Sequence, residues 1–325
     1  MITRVRGFQV GHAHDFEKVT GCTVILCPPE TVGSADVRGS AAGTRQMDAL
    51  VGFHVVEELQ GVLIAGGSAF GLDAAGGVMD YLEERGRGFD VGITRVPIVP
   101  SAVIYDLAVG DCRVRPDKAM GYAACQAAQG RPQGDGSVGA GVGATVGKLL
   151  GVQQATKGGL GTSFLEGPEG LEVGALVVVN AFGDVVDPGT GTIMAGARRA
   201  PDSHEFVDTA LMLRQGFVRQ RFGELNTTIA VVATNARLNR EQAQKIAQLG
   251  HDALARCIRP VHTLFDGDVV FALAHPRVSA DLHNLGALAQ AALEQAILRA
   301  VQEARGLGIL PAYRDLHSGR DQTGD

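Results

Sequence analysis

The amino-acid sequence predicts an α/β fold, and three observations carry the prediction. Short, continuously apolar runs such as residues 22–27 (CTVILC) alternate along the chain with longer amphipathic stretches such as residues 240–258. The short runs lack polar alternation and are bounded by turn residues, which marks strands buried on both faces. Hydrophobic residues make up 45% of 325, and 45 glycines interrupt them, a composition that buries a large core and turns often. At a prior of roughly 150 residues per domain this length holds two cores, or one large α/β core.

In order along the chain, the run at 22–27 is a buried strand, and 62–65 is another that feeds the Gly66-Gly67-Ser68 turn. From Ser68 the segment SAFGLDAAGGVMDYLEERG places Phe70, Ala74, Val78 and Leu82 at helical spacing, with Ser68 as N-cap and Gly86 as stop. Residues 117–129 form a short helix opened by Asp117, after Pro116. The stretch 134–151, GDGSVGAGVGATVGKLLG, is too glycine-rich for an ordinary helix. Strands at 173–180 and 184–186 flank the turn Ala181-Phe182-Gly183.

Between 188 and 224 periodicity fades while Pro, Gly, Arg and Asp accumulate. This predicts a long, irregular, exposed connection where a chain break is tolerated. After Leu225-Asn226-Thr227-Thr228 comes a β-rich run, IAVVATNA, and then an amphipathic helix at 240–258 through Ala243, Ala247, Leu254 and Ile258. A strand at 268–274 and a helix at about 279–305, carrying Leu282, Leu285, Leu288, Ala292 and Ile297, complete the core. The polar tail HSGRDQTGD is expected to be loose.

Several function classes are excluded by composition. The net charge is −6 and basic residues are scattered, so nucleic acid is not an expected partner. The first twenty residues lack an apolar signal core and no run approaches the ~18 apolar residues of a membrane span. A cytoplasmic protein without a membrane partner is the expectation. The five cysteines, Cys22, Cys27, Cys112, Cys125 and Cys257, are odd in number and never in a C-x-x-C pair, which fits reduced, buried thiols.

Motif by motif, cofactor and metal sites also fall away. The glycines from Gly141 to Gly147 miss the dinucleotide fingerprint by one residue, and Gly147-Lys148-Leu149 lacks the rest of a phosphate loop. Phe70 stands where a nucleophile elbow after Ser68 needs glycine. His12, His14, His251 and His262 have no carboxylate or thiol companions at ligand spacing. No cofactor and no metal are expected.

Chemistry enters at Asn226-Thr227-Thr228-Ile229, a polar junction set directly before an apolar β run. A threonine that opens a strand is ordinarily a plain β-former. Its neighbourhood gives it another meaning, through GCTVILCP near the start, SADVRGSAAGTR at 34–45, GGSAFGLDAAGGVMDYLEERG at 66–86, VPIVPSAVIYDL at 96–107, PDKAMGYAA at 116–124, VGATVGK at 142–148, NTTIAVVATNA at 226–236 and RPVHTLFDGDVVFALA at 259–274. In order and together, these resemble the P1 family of self-processing aminopeptidases (DmpA-like, S58-type), which includes endo-type 6-aminohexanoate-oligomer hydrolases. Residues 188–224 and the tail depart from the family pattern.

The resemblance implies a four-layer αββα sandwich similar to N-terminal-nucleophile hydrolases. It implies one 1–325 domain cut into a 1–226 α chain and a 227–325 β chain, with Thr227 as nucleophile. The chemistry is consistent with that assignment. A threonine hydroxyl needs an adjacent base, and an N-terminal threonine supplies its own α-amine, which titrates near pH ~8. Matched by position, the family pattern puts Asn180, Lys148, Asp266, Asp268 and Tyr105 beside the nucleophile.

Read without the family, Asn180 and Asp266-Gly267-Asp268 are turn residues, Lys148 is a solvated lysine and Tyr105 a packed ring. The resemblance further implies a small peptide or ω-amino-acid oligomer amide as substrate, and homo-oligomers of αβ units, commonly tetramers. Two competing readings are an acyltransferase of the ornithine-acetyltransferase type and an unprocessed, non-catalytic relative.

Overall fold

The computed structural model describes residues 1–218 and 226–317. Two five-stranded sheets stack face to face, each covered on its outer side by a pair of helices. The first sheet runs in the spatial order Gln9–Asp15, Thr20–Leu26, Gly61–Ala65, Ser101–Val103, Gly43–Arg45. The second runs Gly159–Glu166, Glu172–Asn180, Thr227–Ala236, Val269–Val278, Val32–Val37. In both, the third and fourth strands are parallel and every other pair is antiparallel. This is the αββα sandwich that the resemblance implied.

The apolar runs are continuous because the inner strands are covered on both faces. Along Gly61–Ala65, Val62 and Ile64 point into the layer between the sheets, while Leu63 and Ala65 meet the helices Ala74–Glu83 and Lys118–Gln126. Along Thr227–Ala236, Ile229, Val231 and Ala233 enter the inter-sheet layer, and Ala230 and Val232 face Arg240–Cys257 and Leu282–Gln302. With all ten residues of that strand buried, period-two polarity has nowhere to appear. A parallel pair requires a crossover, and in each half a helix supplies it.

Helix ends follow their side chains. Asp117 accepts from the Met120 amide, Asn239 and Gln242 form a reciprocal capping box, and Asp281 caps the last long helix. Gly86, at φ +63°, closes Ala74–Glu83, its amide reaching the Glu83 carbonyl and that of Arg87 the Leu82 carbonyl. The outer helices of the first sheet touch through glycine, since a Cβ on Gly77 would lie 1.8 Å from the Lys118 carbonyl oxygen.

Three expectations are corrected. Ser68 is not an N-cap: it sits at φ +54° inside a 3-10 turn, Ser68–Asp73, and the α-helix begins at Ala74. The connection after residue 188 is not irregular throughout. It contains the strand Ile193–Ala195, the helix Thr209–Arg214 and a buried Arg198. Buried Asp184 organises it, accepting from the Ala197 and Thr209 amides and the Thr209 hydroxyl at 2.7–3.0 Å. Finally, Cys112 is exposed, unlike the other four thiols. Residues 219–224 of the predicted connection, and the tail from residue 318, lie outside the described residues.

Candidate active site

Thr227 is the first residue of the middle strand of the second sheet, so its neighbours come from the strands on either side. Antiparallel register places Asn180, the last residue of its strand, opposite Thr227. On the other side Asn226 bridges to Asp266, three residues ahead of the parallel strand Val269–Val278. Asn226 and Thr227 are both buried. The Thr227 hydroxyl donates to the Asn226 carbonyl oxygen at 2.5 Å. That peptide is also held by the next turn, for the Asn226 amide donates to the Phe265 carbonyl and the Gly267 amide to the Asn226 carbonyl, each at 2.8 Å.

On the Asn180 flank the groups are neutral or cationic. Lys148 is only 3% exposed, which removes the solvated-lysine reading. Its ammonium donates to the Asn180 side-chain oxygen at 2.7 Å and to the Asn180 carbonyl at 3.1 Å. The Lys148 backbone is fixed by its amide to the Phe182 carbonyl. The Thr145 amide gives the Asn180 side-chain oxygen a second donor, and one Asn180 amide hydrogen goes to the Tyr105 carbonyl at 3.1 Å. Tyr105 therefore joins the site through its backbone, just past the strand Ser101–Val103.

The opposite flank is acidic. Asp266 and Asp268 are both buried. Asp266 accepts from the Phe182 amide and from the amide and hydroxyl of Thr263. Burial, and next the charge of Asp268, push its carboxyl well above the usual range. Asp268 accepts from the Thr228 amide at 2.7 Å with one oxygen. Its other oxygen takes the His262 ring Nδ1 at 2.7 Å and the His262 amide at 3.2 Å.

In the sequence His262 is weighed only as a metal ligand, and its hydrogen bond to Asp268 was not foreseen. It holds a left-handed backbone, φ +53°, that few non-glycine residues adopt. Its ring meets that of His251 edge to face at 4.8 Å, and His251 in turn reaches the Asp36 carbonyl.

A second pair missed in the sequence lies behind Asn180. Lys157 is fully buried, and burial, opposed by the charge of Asp106, lowers its ammonium to about 7. It donates to the Val142 and Ala144 carbonyls, tying down the glycine-rich turn that presents the Thr145 amide to Asn180. The one available signal was a lysine flanked by Gly158 and Gly159 in a strand-forming run.

One peptide bond, Asn226–Thr227, thus lies between a lysine–asparagine pair and two carboxylates. The arrangement holds a hydroxyl, hydrogen-bond donors and a place for a general base, which is the equipment of acyl transfer.

Comparison with known proteins agrees with this chemistry. Residues 1–310 match the family model described as peptidase family S58. An uncharacterized aminopeptidase of Mycobacterium leprae is 42% identical over 98% of this chain and 94% of its own. A 6-aminohexanoate-oligomer endohydrolase of Paenarthrobacter ureafaciens is 32% identical over 90% and 84%. Among solved structures, the L-aminopeptidase D-Ala-esterase/amidase of Ochrobactrum anthropi, described as a variant of the Ntn-hydrolase fold, superposes with a TM-score of 0.72 at 18% identity, covering 99% of this chain and 94% of that one. A Burkholderia β-aminopeptidase gives 0.69 at 20% identity, covering 100% and 94%. These two likenesses establish the fold.

Proposed function

The chain belongs to peptidase family S58, and from that premise we propose that it is a self-processing amide hydrolase whose nucleophile is Thr227, released by cleavage after Asn226. The observation that carries this reading is convergence. Asn180, Lys148, Asp266 and Asp268, drawn from separate segments, all lie around the Asn226–Thr227 peptide. Cleavage yields fragments of 226 and 99 residues.

In the mature enzyme the α-amine of Thr227 takes the hydroxyl proton as Oγ attacks a substrate amide. The second Asn180 amide hydrogen and the Lys148 ammonium face the developing charge, and water resolves the acyl-enzyme. Relatives named as aminopeptidases match a larger share of this chain, at higher identity, than those named as oligomer endohydrolases. This favours removal of N-terminal residues from small peptides over internal cleavage of ω-amino-acid oligomers.

The test is mass spectrometry of the purified protein with turnover of amino-acid anilides, short peptides and 6-aminohexanoate oligomers. Thr227→Ala is expected to remain one chain and to lose activity by at least roughly 10⁴-fold. Normal cleavage of that variant would refute the assignment.

A further inference from the structure

We propose that the backbone amide of Gly267 is the oxyanion donor for the chain's own cleavage. The inference rests on the self-processing reading above and goes beyond it by naming the group that stabilises the transition state of that single reaction.

The bond to be broken has its carbonyl oxygen at 2.8 Å from the Gly267 nitrogen, with the Thr227 hydroxyl beside it. That carbonyl oxygen is the atom on which the charge develops, so a donor already stands at hydrogen-bond distance from it before attack. The amide cannot swing away, because both residues flanking Gly267 are anchored twice. The Asp266 carbonyl accepts from the Ala41 amide, and its carboxylate is held by Phe182 and Thr263. The Asp268 carbonyl accepts from the Arg38 amide, and its carboxylate is held by Thr228 and His262. Glycine is required between them, since a Cβ at 267 would lie 2.6 Å from the Ala41 carbonyl oxygen and 2.7 Å from the Ala42 Cα. Two acidic side chains therefore aim one peptide N–H at one carbonyl, with no reorganisation left for the reaction to supply.

The step balances without another reactant. An electron pair of Thr227 Oγ forms a bond to the Asn226 carbonyl carbon, and the π pair moves onto the oxygen that faces Gly267. The oxyanion collapses, the C–N bond breaks, and the Thr227 nitrogen takes that pair together with the proton the hydroxyl gave up. The product is an ester between Asn226 and Thr227 Oγ. Water then adds, leaving the Asn226 carboxylate, the regenerated hydroxyl and the protonated terminal amine.

The decisive experiment replaces the 266–267 amide by an ester, with glycolate in place of Gly267, in a semisynthetic full-length chain refolded beside an identically treated wild type. The change deletes the N–H and keeps the shape. Mass spectrometry follows the appearance of the 226- and 99-residue fragments. The proposal expects cleavage to slow by roughly 10²–10³-fold. Cleavage within threefold of wild type, even with a lower melting temperature, would mean that the hydrogen bond is structural and would overturn it.

If the ester chain does not refold, Gly267→Ala is read in the same assay. It is expected to slow cleavage at least tenfold while circular dichroism stays unchanged, and an unchanged rate there also overturns the proposal. A wild-type chain that never cuts would sink the underlying reading instead, which keeps the two failures distinct.

Discussion

The two halves of the molecule share one plan, and the polar cluster around Thr227 is built mainly from one of them. Each consists of an antiparallel hairpin, a third strand, a helix, a fourth strand parallel to the third, and a second helix. The registers coincide. Leu26 faces Gly61 at the mouth of the first sheet as Asn180 faces Thr227 in the second, and Leu63 faces Ser101 as Ile229 faces Val269.

The residue before the third strand is Gln60 in one half and Asn226 in the other, and here the backbones part. The Gln60 carbonyl accepts from Cys27, in the neighbouring strand's extension, while that of Asn226 accepts from Gly267. The framework thus supplies a strand mouth twice. In the second half polar side chains stand where the first has Leu26 and Gly61, and the turn before the fourth strand points the Gly267 amide at the chain.

The comparison can be broken from either side. The largest effect after loss of the nucleophile is expected from Lys148→Met, which removes the ammonium bonded to Asn180; kcat of the fully cleaved enzyme should fall roughly 10²–10³-fold in steady-state assays. Next comes His262. His262→Phe should lower kcat about tenfold with KM nearly unchanged, because Asp268 loses a charge-assisted partner, whereas His262→Asn, whose amide can replace Nδ1 and which tolerates φ > 0, should restore most of it. Equal losses in both variants would reduce His262 to packing.

Asp184 provides a pH test within the catalytic half. Burial raises its carboxyl from 3.8 to about 7, outweighing its three hydrogen-bond donors. Between those values the folded chain keeps a proton that the unfolded chain has released, so stability should fall as pH rises through that window. Denaturant titrations from pH 4 to 8 should show this slope, and Asp184→Asn should flatten it. The smallest effect on activity is expected in the first half. Gln60→Leu deletes a buried hydrogen bond to the Ile98 amide and should cost about 1–3 kcal/mol of stability, with kcat/KM within twofold of wild type.

Much of the fold was legible because its signals are local. Strands 22–27 and 62–65 show as unbroken apolar runs, the helix at 117–129 announces its opening in Asp117, and that at 240–258 shows in its apolar spacing. What escaped depends on distant partners. The ordered elements within 188–218 hang on Asp184, a residue that by itself reads only as the first of a short strand. His262 pairs with Asp268 across a turn whose left-handed residue is the histidine itself, so no periodic spacing reveals it. Lys157 reads as a surface lysine until the carbonyls that surround it are known.

Thr227 is 3% exposed, and the groups around it come from residues 105, 148, 180 and 266–268. A nascent chain shorter than 268 residues lacks part of that set, and the rest is brought together by strand pairings between residues far apart in sequence. On the function proposed above, activity in a folding reaction would first appear when those distant pairings have closed.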